Sequence, residues 1–153
     1  MKTLIAILIL ASFLQATILP LDLALMIIIL RTYIKDDSSN LYLAFFVGLL
    51  VSHLTISPLG ILSLIYLGLT QATRMLNRSR LSEHIVTVIP LVFVLFVVKE
   101  LTLGFSTIVN LWPEVFVSEA KNLFIESLLA LPVYLVIRFW EERFVVKDIK
   151  LRV

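Results

Sequence analysis

The sequence has no cysteine, which excludes disulfide staples and thiolate chemistry and leaves the redox compartment unread. Histidine is nearly as scarce. His53 and His84 stand far apart, His84 in a polar loop after Ser82-Glu83, so the pair is a poor prospect for a metal. Glycine occurs only four times, and no Gly-rich phosphate loop, H-E-x-x-H or G-x-S-x-G is present. Charged residues make up 16% of the chain, against about 25% in an average soluble domain. These shortages speak against a disordered chain, a nucleic-acid module and an ordinary soluble enzyme. With no clustered nucleophile, base or metal ligands, a non-enzyme without a cofactor is expected.

What is present is apolar. Hydrophobic residues are 60% of 153, and the mean hydropathy is +1.05. A chain of this size lacks the polar residues to cover such a surface in water, so lipid is the expected solvent. Six apolar segments stand out, at about 3–19, 21–34, 41–54, 58–73, 85–103 and 120–139. None alternates with period two, and backbone polar groups in lipid must be satisfied within a segment, so helices are expected rather than a barrel. The expectation is an all-α polytopic membrane protein: one integral domain over 1–153, a bundle of about six transmembrane helices, and a short cytoplasmic tail at 141–153. The apolar start ends in Leu14-Gln15-Ala16, a poor signal-cleavage site, so it reads as a retained first helix. The second and third segments are short for a roughly 30 Å hydrocarbon core. Thinning of the bilayer, borrowed flanking residues or shielding by neighbours each accommodate that, and a hairpin over 1–34 that does not fully cross is the alternative.

The basic residues sort by side. With the amino terminus inside, Lys2, Arg31, Lys35, Arg74, Arg78, Arg80, Arg138, Arg143, Lys147, Lys150 and Arg152 all fall inside, which is eleven of thirteen. Lys99 and Lys121 are the two left over. This bias predicts an even number of crossings with both termini cytoplasmic. Trp112 and Trp140 suit interfacial anchoring. The tail from Glu141 reads either as a solvated stop-transfer end or as a docking element for a cytoplasmic partner.

The intramembrane charges Lys99, Glu100 and Glu126 are the residues that need explaining. Lys99 and Glu126 fall at similar depth on segments that share an outer loop. Two readings stand: the two pair with each other, or Lys99 snorkels to the interface while Glu126 finds water or backbone. Ala44, Gly48 and Ser52 recur at four-residue spacing and form a small-residue ridge for close helix packing, most simply within the bundle. Pro20 and Pro58 open segments, Ser57 is a plausible N-cap, and Pro90 and Pro132 should kink the helices that hold them.

The run Gly48-Leu49-Leu50-Val51-Ser52-His53-Leu54-Thr55-Ile56-Ser57-Pro58-Leu59-Gly60 resembles the G-L-x-x-D…P-L-G stretch of the rod shape-determining protein MreD family. Leu14-Gln15, then Leu19-Pro20-Leu21-Asp22-Leu23, is similar to the family's P-D-L entry. Ser127-Leu128-Leu129-Ala130-Leu131-Pro132 is similar to its closing run. Two departures mark a divergent member: Ser52 stands where the family has an acid, and Leu21 is inserted before Asp22. The resemblance implies a non-enzymatic scaffold of the cell-elongation machinery in a bacterial inner membrane. Its implied partners are an MreC-like bitopic protein and, beyond that, MreB, RodA and a class B penicillin-binding protein. Asp22, Ala44, Gly48, Ser52, Pro58 and Gly60 are the candidates for partner binding or helix packing. The competing reading is the substrate-binding membrane subunit of an energy-coupling-factor vitamin transporter, also a small six-helix bundle. The usual Ala-x-x-x-Ala docking motif is not matched, since Ala6, Ala11 and Ala16 recur every five residues. The outer stretch 104–119, with Trp112, Glu114 and Glu119, suits either a lid over a cavity or a surface for a periplasmic partner.

Overall fold

A helix that is apolar on every side must be covered on every side. The run L-A-L-M-I-I-I-L at 23–30 is apolar all round, and the helix that carries it forms the centre of the molecule. The computed structural model describes the backbone over 2–18, 21–55, 60–78, 87–106 and 112–145, and side chains over 3–18, 21–55, 60–77, 87–103 and 121–143. Six α-helices lie in these residues: α1 (Lys2–Thr17), α2 (Leu23–Ile34), α3 (Ser39–Leu54), α4 (Ile61–Arg78), α5 (Val88–Ser106) and α6 (Trp112–Trp140). No strand occurs among the described residues. Nine of the twelve residues of α2 are buried, and α2 touches α1, α3, α4, α5 and α6. The shortest helix is therefore the shielded one. Pro20, Ser57, Pro58 and His84, and the tail beyond 145, lie outside the described residues, as do the side chains of Trp112, Glu114 and Glu119.

The fold class is all-α, as expected. By length and composition, one helix among the described residues is apolar enough to cross a membrane, Lys121–Arg143 with mean hydropathy 1.7; α1, α2 and α3 contribute shorter apolar stretches. The six expected segments match the six helices, with the largest difference at the last. There α6 starts at Trp112 rather than near 120, which shortens the connection between α5 and α6. Pro113 explains the early start. In the first turn of a helix a proline loses no hydrogen bond and its fixed φ suits the helix. The same physics corrects the kink expected at Pro90, which stands in the first turn of α5 and interrupts nothing. Pro132 does lie inside α6.

Small polar residues enter the core without orphaned groups. Ser12, Thr32, Thr70 and Thr73 are all buried, and each hydroxyl donates to the carbonyl four residues earlier, at 2.7–2.8 Å. In this way α4 turns Leu62, Ser63, Ile65, Tyr66, Leu69, Thr70 and Thr73 inward at helical spacing.

The expected small-residue ridge is an internal seam. Ala44 and Ser52 are fully buried, and Gly48 lies directly against the backbone of α4. A Cβ on Gly48 would sit 2.6 Å from Ser63 Cα and 3.2 Å from Leu62 O. Ser63 Oγ donates across the same seam to Phe45 O at 3.2 Å. Gly60, which precedes α4, has φ of +97°, the left-handed region that glycine enters at least cost. Its carbonyl accepts from Leu64 N at 2.9 Å and so starts the helix.

At the opposite end of α2, Arg31 is buried and paired with Glu141 at 3.0 Å. Arg31 also donates to Asn40 Oδ1, and Asn40 Nδ2 reaches Lys35 O at 3.0 Å. Glu141 opens a π-helical turn, Glu141–Val145, that continues α6. The tail is thus not a solvated end at its first residue. The wider π spacing follows directly on α6 at the residue that meets Arg31.

Candidate functional site

The second polar centre lies where α1 hands over to α2. Asp22 is the residue before α2, the N-cap position, yet its carboxylate makes no capping bond to its own helix. Gln15 of α1 caps instead, with Oε1 accepting from Ala24 N at 3.1 Å. The Asp22 carboxylate takes three donors from three other helices: Lys99 Nζ of α5 at 2.5 Å, Tyr66 Oη of α4 at 2.8 Å and Gln15 Nε2 at 3.0 Å. Its backbone N–H donates to Glu126 Oε1 of α6 at 2.6 Å. Five helices meet at this one residue. A negative side chain at a helix N-terminus is also favoured by the exposed N–H groups there.

Lys99 is 7% exposed and Glu126 4%. Lys99 Nζ bridges Asp22 and Glu100, the latter at 2.6 Å, and lies 5.7 Å from the centre of the Phe96 ring. The Lys99–Glu126 pair does not form: Lys99 meets the Asp22 carboxylate, and Glu126 finds a backbone partner, the N–H of Asp22, as the alternative reading had it. Snorkelling is also not the arrangement adopted by Lys99. The reason is positional. Asp22 stands on the central helix between α5 and α6, so it intercepts both side chains.

Beside these groups is a cavity of about 230 Å³. Gln15, Asp22, Lys99, Glu100 and Glu126 form its polar wall. Val51, Leu62 and Leu123 are on its apolar side. Of the residues singled out from the sequence, Asp22, Lys99, Glu100 and Glu126 thus come together. Ala44, Gly48, Ser52 and Gly60 belong to the α3–α4 seam and its turn, and Pro58 is not described. Tyr66 and the Arg31–Glu141 pair escaped sequence reasoning. A tyrosine in an apolar run carries no charge to flag it, and Arg31 read as a topology signal.

Among the described residues, no group of three or more His, Cys, Asp or Glu side chains is placed to hold a metal. His53 is exposed near the end of α3. The arrangement places one ammonium and three carboxyl groups on a small cavity, with the Asp22 carboxylate held from behind by the buried Tyr66 phenol. No protein-family model, no curated protein and no solved structure matches this chain.

Proposed function

We propose that this chain is a six-span membrane protein with both termini cytoplasmic, acting as a non-enzymatic scaffold of the MreD type in the bacterial inner membrane. In this reading it binds an MreC-like bitopic protein and helps couple MreB filaments to peptidoglycan synthesis by RodA and a class B penicillin-binding protein. Lipid as solvent is supported by the outward faces of the helices, where Leu10, Phe46, Leu64, Phe124, Leu128 and Val136 are exposed. The positive-inside bias supports the orientation, placing the Asp22 end outside and the Arg31 end inside.

The observation that carries the scaffold reading is the position of the residues behind the resemblance. Asp22 ties five helices together, while Gly48 and Gly60 let α3 and α4 close tightly. These residues all serve packing within the bundle, which suits a platform that presents a partner helix with a defined surface. The test is co-purification with the MreC-like protein of the same genome. A stable complex, lost on Gly48→Leu, is the expected result. Recovery of the chain without such a complex but with a tightly bound vitamin would overturn the scaffold. It would favour the second reading, a substrate-binding transporter subunit, which the cavity beside Asp22 supports.

A further inference from the structure

We propose that the cavity beside Asp22 binds a compact ammonium group, carried by a small primary amine or by the headgroup of an aminophospholipid. The inference goes beyond the scaffold reading and stands whether or not that reading holds.

Charge is the first argument. Among the described residues that line the cavity, Asp22, Glu100 and Glu126 stand against one cation, Lys99, so carboxyl groups outnumber ammonium groups three to one. A second positive charge is what the site lacks, and an anionic ligand is disfavoured.

Glu126 is the second and independent argument. It is 96% buried by its 4% exposure, and no cation among the described residues lies within ion-pair distance of it. Oε1 accepts from Asp22 N, whereas Oε2 has no hydrogen-bond partner among the described residues. Every fully enclosed side-chain nitrogen or oxygen there does have a partner. Oε2 therefore borders open space, and the open space that Glu126 lines is the cavity. Oε2 thus faces the cavity with neither a donor nor a cation of its own, and a bound ammonium would supply both in one charge-assisted hydrogen bond. Lys99 does not compete for the role, because Asp22 and Glu100 hold its ammonium.

Size and donor geometry narrow the ligand. The volume is below the roughly 300–1,000 Å³ of pockets for drug-sized molecules, so the ligand is compact. The carboxylates do not converge as a metal site, and an ammonium with three N–H donors suits oxygens spread along a wall. The apolar side formed by Val51, Leu62 and Leu123 accommodates a short carbon stem.

The test uses the purified full chain in phosphatidylglycerol nanodiscs, titrated with ethanolamine, with ethylene glycol and sodium chloride as matched controls. Ethanolamine is expected to raise Tm saturably, and neither control should do so. Glu126→Gln keeps the acceptor for Asp22 N–H but removes the charge, and should weaken the ethanolamine effect at least tenfold. Glu100→Gln provides the same comparison if the first variant does not fold. A second set of discs contains phosphatidylethanolamine. If these raise Tm by themselves and abolish the ethanolamine response, the headgroup is the source. If the response persists, the source is a free amine. No saturable shift in either lipid, or an equal shift in both Gln variants, would overturn the proposal.

Discussion

Asp22 shows how much one side chain can be made to hold. Its removal leaves Lys99, almost wholly buried, with Glu100 alone. Breaking a buried ion pair from one side costs about 3–5 kcal/mol, because the remaining charge stays desolvated. Asp22→Leu should therefore destabilise strongly, and so should Lys99→Met. The double variant Asp22→Leu/Lys99→Met should lose less than the two single losses added together, since neither charge is then stranded. Thermal unfolding of the four proteins in detergent measures this. Gly48 gives a different kind of prediction. Gly48→Leu inserts a side chain where even a Cβ would overlap Ser63, and overpacking of this kind costs about 1–3 kcal/mol or more. Failure of that variant to unfold earlier than the parent would contradict the close α3–α4 approach. Asp37 carries the pH prediction. It lies in the connection before α3, where its carboxylate accepts from Ser39 N at 3.1 Å, and this bond holds its pKa below the ordinary 3.8. A lowered folded-state value means the stabilisation is complete above 3.8 and is lost as pH falls through the folded value. The stability gap between parent and Asp37→Ala should close at the acid end of that window, and its persistence at lower pH would contradict the assignment.

At the scale of elements, the helices were legible because outward-facing and core-facing residues are both largely apolar, so each helix appears as a mostly apolar run. Their ends were less legible. The stretch Trp112–Ala120 contains Pro113, Glu114, Ser118 and Glu119 and reads as loop by hydropathy, though a first-turn proline and polar residues are compatible with a helix. Which helix would be central was half visible: the run 23–30 is apolar on all sides, and the shortness of its segment raised shielding by neighbours as one answer among three. The site was legible as a list of charges but not as a set of partners. Lys99, Glu100, Glu126 and Asp22 were each picked out, yet the pairing drawn between Lys99 and Glu126 used only the loop joining their helices. Contacts between helices distant in sequence, 77 residues for Asp22–Lys99, are not encoded in local periodicity. The Arg31–Glu141 tie gives a prediction at this scale. Glu141→Gln should loosen the π-helical turn from α2, seen as faster amide exchange over 141–145 with little change in α3.

For the whole molecule, the decisive quantity is the side on which each connection lies. The absence of native cysteine makes this simple to measure, since a single introduced thiol is the sole target. Ile18→Cys, at an exposed position between α1 and α2, should react with an impermeant maleimide added to intact cells. Asp36→Cys, between α2 and α3, should react only after the membrane is opened. Reaction of both from the same side would mean that α1 and α2 form a hairpin that does not cross, and would remove the six-span arrangement.

The central place of α2 also sets a schedule for biogenesis. It is the second helix to leave the ribosome, yet its two charged ends find their counter-ions only much later in the chain. Asp22 waits 77 residues for Lys99, and Arg31 waits 110 for Glu141. At about 5–20 residues per second, those intervals amount to roughly 4–15 s and 6–22 s of synthesis. Until then neither charge has the counter-ion that holds it in the finished fold, although Asp22 already has Gln15 and Tyr66 and Arg31 already has Asn40. A chain released early therefore bears its own mark of incompleteness, written in those two charges.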